Sequence, residues 1–172
     1  ANTIILSRTD GMAEEKLDQC VAMIREHNKD AVIVTTPWPE LTGEQLMEAM
    51  EQRSTIAIEL AKLEEEAHHH HHDHEGHHHA DDVFTSMGME TPHKYSEEEL
   101  TEILKKLSAE GDAYGSILRA KGIVPAVEGE WFHFDLVPGE YEVRRGSADY
   151  TGRLCVIGAQ LKEEEIKALF HI

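Results

Sequence analysis

The chain opens on a short apolar run, residues 3–6 (Thr3, Ile4, Ile5, Leu6), with polar residues on both sides, a pattern that predicts a buried strand. Leu17, Cys20, Val21 and Ile24 then recur at i, i+3, i+4 and i+7, the spacing of one face of a helix. Asn28, Lys29 and Asp30 end that helix, and residues 31–34 (Ala-Val-Ile-Val) read as a second buried strand. Pro37 and Pro39 break the chain. Thr42 followed by Gln45 has the form of a capping box ahead of Leu46, Met47 and Met50, which predicts a further helix. Continuous apolar strands alternating with helices point to a parallel α/β sheet. Two strands do not make such a sheet, so residues 1–52 read as the C-terminal remnant of a larger α/β domain, expected to pack on the rest of the chain or on a second copy.

Residues 53–82 break the periodicity. Residues 59–67 are acidic and helix-prone, and nine of the twelve residues from His68 to His79 are histidine. A tract of this composition builds no core, so this region is expected to be a linker.

From residue 83 the alternation returns. Residues 83–86 predict a strand, and Ser96 with Glu99 forms a second capping box before the helical face Leu100, Ile103, Leu104, Leu107. Four β-prone segments follow, at 115–124, 131–136, 140–145 and 153–158, and a last helix places Ile166, Leu169 and Phe170 together. The order β-α-β-β-β-β-α predicts an α+β domain over residues 83–172, an antiparallel sheet with helices packed on one face.

Composition narrows the chemistry. Sixteen basic against 34 acidic residues leave a net charge of −18, a field that repels phosphate backbones and anionic lipid and favours cations, which argues against nucleic-acid and membrane partners. No apolar run approaches the roughly 20 residues of a membrane span, and no signal peptide is visible at the N-terminus. Cys20 and Cys155 belong to no CxxC pair, which argues against a disulfide scaffold and fits a reducing cytoplasm.

The histidine tract carries the clearest chemical signal. His68, His69, His70, His71, His72, His74, His77, His78 and His79 supply imidazole nitrogens, and Asp73 and Glu75 supply carboxylates, with Asp81 and Asp82 following. Neutral imidazole with carboxylate suits zinc, cobalt or nickel, and many registers of the tract offer three or four donors, so selectivity is expected to be poor. The alternative is an affinity tag or a solvated polar linker. A tag is normally terminal, uninterrupted and free of interleaved acids, which favours metal binding.

Asp10 follows the first strand in the run Ser7-Arg8-Thr9-Asp10. A carboxylate just past the carboxyl end of a parallel strand stands where α/β nucleotide sites read a base. Its other reading is a turn residue or helix cap. In the GTPase motif Asn-Lys-x-Asp the final Asp accepts from guanine N1 and N2; here Ser7 lacks the amide of Asn, while Arg8 offers a planar group to lie across a base.

Residues 117–122 (Ile-Leu-Arg-Ala-Lys-Gly), 131–135 (Trp-Phe-His-Phe-Asp) and 153–158 (Arg-Leu-Cys-Val-Ile-Gly) together resemble the C-terminal domain of CobW-family proteins. In that family a histidine-rich linker joins a GTPase domain to this domain, and the tract at His68–His79 stands where the linker would be. The resemblance implies a P-loop GTPase-like origin for residues 1–52 and places Asp10 in the base-reading loop. It implies a role in GTP-gated supply of zinc or cobalt to client metalloproteins, in zinc homeostasis or cobalamin biosynthesis, with GTP and Mg as cofactors of a full-length parent. No GxxxxGK[ST] phosphate loop occurs in this sequence, nor the family's Cys-x-Cys-Cys metal motif. The chain is therefore expected to be a fragment lacking the N-terminal GTPase domain and not to hydrolyse GTP alone. A stand-alone histidine-rich metal buffer is the competing expectation, and homo-oligomerisation stays open. No Ser/His/Asp set or paired-carboxylate spacing marks an independent enzyme.

Within the last region His133 alternates with Phe132 and Phe134, so it faces away from them, either as a second metal ligand or docking residue or as a solvent-facing strand histidine. Arg119 and Lys121, with Arg144 and Arg145, form either a basic docking patch or ordinary surface ion pairs. Trp131 and Tyr141 are expected to be packing residues.

Overall fold

The computed structural model describes residues 1–51, 58, 60–63, 65, 84–109 and 113–172. Two sheets organise them. The first is a parallel pair, β1 (Thr3–Ile5) and β2 (Val32–Val34), in register Thr3 to Val32, Ile4 to Ile33 and Ile5 to Val34. The crossover between them is α1 (Glu14–His27), whose end at Asn28 is fixed by the side chain: Asn28 Oδ1 accepts from the Ala31 N–H at 3.1 Å. After β2 come a 3₁₀ turn (Trp38–Glu40) and α2 (Gly43–Met50). The capping box at α2 is formed in full, with Gln45 N–H on Thr42 Oγ1 and Thr42 N–H on Gln45 Oε1. With only two strands beneath it, α1 buries none of its residues fully, and Leu17, Cys20, Val21 and Ile24 remain half-buried.

The second sheet has five strands: β3 (Thr85–Thr91), β4 (Ser116–Pro125), β5 (Trp131–Val137), β6 (Glu140–Gly146) and β7 (Gly152–Ala159). Their order is β3-β7-β4-β5-β6 and every pairing is antiparallel. β3 runs on to Thr91, past the expected end near residue 86. Met87 and Met89 alternate into the core and mark the longer strand, although Gly88 and Glu90 between them weaken the β signal. Two helices, α3 (Glu97–Ser108) and α4 (Glu163–Leu169), cover one face, as the periodicity requires. Leu100, Ile103, Leu104 and Leu107 of α3, with Ile166 and Phe170, interlock there with Phe132, Phe134, Leu136, Leu154 and Val156. Tyr95 closes this core, fully buried, its hydroxyl donating to the Phe170 carbonyl at 2.5 Å. The fold is thus α+β, an antiparallel layered sheet preceded by a small parallel α/β element.

The opposite face of the sheet is not bare. Cys155 and Ile157 of β7 pack there with Leu63 and Leu60, which belong to the helical residues before the histidine tract. Neither Cys20 nor Cys155 is part of a disulfide.

A seam joins the two sheets. Tyr150 is buried among Val32, Val34 and Ala49 of the first sheet. Arg25 of α1 pairs with Glu90 of β3, and Gln45 donates to the Ala148 carbonyl. Residues 1–51 therefore rest on the five-stranded sheet.

Candidate functional site

The carboxyl ends of β1 and β2 point into a crevice of about 370 Å³ that the five-stranded sheet closes from the other side. Thr9, Asp10, Gly11 and Met12 form one wall, Thr35, Thr36 and Pro37 the next, and Pro125, Gly129 and Trp131 the facing one. Each wall has a local cause. After β1 the chain turns through Arg8 at φ +60° and Gly11 at φ +74°, both left-handed, and the Met12 N–H closes the turn on the Thr9 carbonyl at 3.0 Å. A left-handed arginine is uncommon, and such strain is characteristic of functional loops. After β2 the backbone N–H groups of Thr35 and Thr36 both donate to the Tyr150 carbonyl, at 2.9 and 3.2 Å, so the second loop is fastened to the other sheet.

Four carboxylates line the crevice, Asp10, Glu14, Glu40 and Glu130, with Lys94 the cation beside them. Three are engaged by the protein. Glu40 accepts from Trp131 Nε1 at 3.3 Å, Glu14 accepts from the His93 ring and from the Lys94 N–H, and Glu130 is paired with Arg145. Asp10 is exposed and, among the described residues, has no hydrogen-bond or ion-pair partner. The crevice thus holds one carboxylate whose acceptor oxygens are uncommitted, at the mouth of two parallel strands. That is an arrangement for a ligand presenting N–H donors.

Beside the crevice, His93 lies between Glu14 and Glu99, its Nε2 3.2 Å from Glu99 Oε1, and His171 Nε2 is 3.3 Å from the same oxygen. Burial, then the charge of Glu14, pushes the nearby Asp18 carboxyl up. Among the described residues no group of three or more His, Cys, Asp and Glu side chains is arranged to hold a metal ion.

Of the residues singled out from the sequence, Asp10 lines the crevice and Arg8 does not; Arg8 is exposed in the turn before it. The histidines from His68 to His79, with Asp73 and Glu75, lie outside the described residues. His133 faces away from buried Phe132 and Phe134, and its Nε2–H donates to the Ser147 carbonyl at 2.9 Å. Arg119 and Lys121 are half-buried on that same face. Arg144 and Arg145 do not share a patch. Strand alternation sends Arg144 to Asp135 and Glu142 on one face, and Arg145 to Glu97 of α3 and over the Phe132 ring on the other. The seam through Tyr150, Thr35 and Thr36 went unread in the sequence. Its partners lie more than 100 positions apart, and the one local hint was two threonines directly after an apolar strand.

An antiparallel α+β sheet carrying a short parallel α/β element, with a crevice between them, defines the class. Residues 84–171 match the family model of the cobalamin synthesis protein cobW C-terminal domain, and the chain belongs to that family. Two solved structures are similar to it. One is the Zn(II)-bound YjiA GTPase from E. coli, 22% identical over 99% of this chain and 51% of that one, with a TM-score of 0.44. The other is a Zn(II)-bound triple mutant of the YjiA GTPase, 20% identical over the same shares, with a TM-score of 0.45. The chain spans about half the length of both. No curated protein matches the chain significantly.

Proposed function

We propose that this chain is the metal-collecting and client-docking part of a GTP-dependent metallochaperone. The observation that carries the reading is the position of the histidine tract. It runs between an element whose strand ends present an uncommitted Asp10 and a CobW C-terminal domain packed against that element. In this reading His68–His72, His74 and His77–His79, helped by Asp73 and Glu75, hold zinc, cobalt or nickel as cargo. The five-stranded sheet, on its face bearing His133, Arg119 and Lys121, meets a client metalloprotein in a reducing cytoplasm. Mg and the phosphates would be held by the phosphate loop of the family's GTPase domain, a motif that does not occur in this sequence.

The crevice fits one part of a nucleotide only. Asp10 suits the N1–H and N2–H edge of guanine, and the acidic lining is hostile to phosphate. Nothing in the sequence supplies a phosphate loop, so hydrolysis by this chain is not part of the proposal. A stand-alone metal buffer is the second reading, favoured by the density of imidazole and carboxylate donors at residues 68–79.

Calorimetric titration of zinc, then cobalt and nickel, into the chain and into a version lacking residues 68–79 tests the collecting site. Binding that disappears with the tract, and that weakens below about pH 6 as imidazoles protonate, supports it. Tight stoichiometric binding that survives the deletion overturns it. Guanosine binding in preference to adenosine, lost in Asp10→Asn, separates the chaperone from the buffer.

A further inference from the structure

β3 and β6 are the outer strands of the second sheet. α1 reaches β3 through Arg25 and Glu90. β6 is bonded to β5 alone, among the described residues no strand lies along its other side, and all of its residues but Val143 are exposed. The link from β5 to β6 is two residues, Pro138 and Gly139, with Gly139 at φ +80°, and the register from Val137–Glu140 to Trp131–Gly146 runs without a bulge. Beside a two-residue loop the flanking pair, Val137 and Glu140, exchanges both backbone bonds, and such pairs alternate with unbonded ones along the ladder. The backbone groups of Glu140, Glu142, Arg144 and Gly146 are therefore used on β5. Those of Tyr141, Val143 and Arg145 point outward.

An open ladder is a template for another strand, and the side chains decide which strand it accepts. Val143 stands at the middle of β6, flanked by Glu142 and Arg144 and, one place further out, by Tyr141 and Arg145. Turned end for end about Val143, the strand meets itself with Val143 on Val143, Tyr141 on Arg145 and Glu142 on Arg144. The first two are bonded pairs, made by the residues whose backbone groups are open. Glu142 and Arg144 fall at an unbonded pair, where opposed side chains come closest. Both lie on the face away from α3, and both are more than half exposed. Arg144 now holds Glu142 of its own strand at 3.1 Å and Asp135 at 2.7 Å, exposed pairs that cost little to exchange. Moving the axis one residue either way sets Glu142 on Glu142 or Arg144 on Arg144, so the charges select one register.

We infer that β6 is the interface for a second copy of this chain, an antiparallel β6-to-β6 pairing about a two-fold axis through Val143 that joins the two five-stranded sheets into one. The occupant is a second copy rather than an unrelated strand because the charge order is complementary to itself, the property a two-fold interface requires. The backbone ladder of Tyr141, Val143 and Arg145 holds the pair together. Glu142 and Arg144 fix its partner and its register, and the α3 helices of both copies lie on the same side of the joined sheet. The inference is independent of the crevice and of the histidine tract.

The test is sedimentation velocity on the full chain at about 0.15 M salt, where a monomer–dimer equilibrium is expected. Glu142→Arg sets Arg against Arg, and Arg144→Glu sets Glu against Glu, at two places in each dimer. Each substitution should weaken the dimer by at least about tenfold. An equimolar mixture of the two variants, in which every Arg meets a Glu, should regain it. Hydrogen exchange on the unmodified chain is the second readout and depends on no variant: the amides of Tyr141, Val143 and Arg145 should slow as concentration rises, while those of Glu140, Glu142 and Arg144, already bonded to β5, should not. A chain that stays monomeric, with those three amides indifferent to concentration, overturns the inference. A dimer that both substitutions leave intact puts the second copy on another surface and overturns it too. Variants that melt like the parent and dissociate, yet fail to associate when mixed, overturn the proposed register.

Discussion

Replacing Tyr150 by Ala isolates the seam. The side chain is 2% exposed, packs with Val32, Val34 and Ala49, and carries the Arg153 guanidinium 5.2 Å from its ring centroid. Truncating a buried aromatic to Ala costs about 3–5 kcal/mol in lost burial and residual cavity. The other fastenings named above are a partly exposed ion pair, Arg25–Glu90, and polar contacts, each worth about 1 kcal/mol or less. The backbone bonds to the Tyr150 carbonyl survive the substitution but have no packed side chain to anchor them. The main core of the five-stranded sheet does not include Tyr150. The loss should therefore fall on the first sheet alone. Converted at 1.4 kcal/mol per tenfold, amides of residues 32–36 and 43–50 should exchange faster by on the order of a hundredfold to several thousandfold. Amides of residues 100–107 and 154–157 should stay within a few-fold. Tyr150→Phe, which keeps the ring, should show only a small part of the effect. Equal acceleration in both sets would mean one cooperative unit rather than a seam. No change in the first set would mean that residues 1–51 hold themselves together, and either result refutes the reasoning.

Alkaline pH should find the same place. Burial raises the Tyr150 hydroxyl to about 12 against the lowering pull of Arg153, and burial raises Tyr95 further still. Both are acids with raised folded values, so their contribution is full below about pH 10 and is lost as pH climbs from there toward 12. Urea midpoints should fall across that window, and Tyr95→Phe with Tyr150→Phe should flatten the fall. A Cβ on Gly152 would lie 2.1 Å from the Thr91 carbonyl oxygen, so Gly152→Ala should lower the melting temperature by several degrees, from about 1–3 kcal/mol of overpacking. Ser96→Ala should cost about 1 kcal/mol by denaturant titration, because it frees the Glu99 N–H that Ser96 Oγ accepts at 3.1 Å. Asp10→Asn should leave the denaturant midpoint within about 0.5 kcal/mol, since Asp10 has no partner among the described residues, while removing guanosine preference.

Local chemistry was the part of this protein open to reading in the sequence. Phe132 and Phe134 against His133 gave the face of β5, the Ser96 and Glu99 pair gave the start of α3, and Leu100 to Leu107 gave its buried side, because each is settled by neighbours a few positions away. Asp10 was legible as a carboxylate at a strand end. Its being uncommitted was not, since that depends on Glu40 finding Trp131 and Glu14 finding His93 across 91 and 79 positions. Periodicity was equally blind to Leu60 and Leu63 on Cys155 and Ile157: an acidic helix before a polar tract gives no sign that two leucines dock on the far face of a sheet. The division of Arg144 from Arg145 was within reach, for adjacent strand residues always face apart.

The parallel pair carries a last consequence. Among the described residues β1 is bonded to β2 alone, and its other edge has no strand beside it, with Ile5 37% exposed. A free edge of this kind invites a second copy to add on. What opposes that addition is long-range charge, −18 on every copy. The two forces respond differently to ions: the Debye length shrinks from about 30 Å at 0.01 M to about 8 Å at 0.15 M, while hydrogen bonds between strand edges are nearly indifferent to it. Salt should therefore push this chain toward self-association, the reverse of its effect on an assembly held by ion pairs, and low ionic strength is where single copies of it persist.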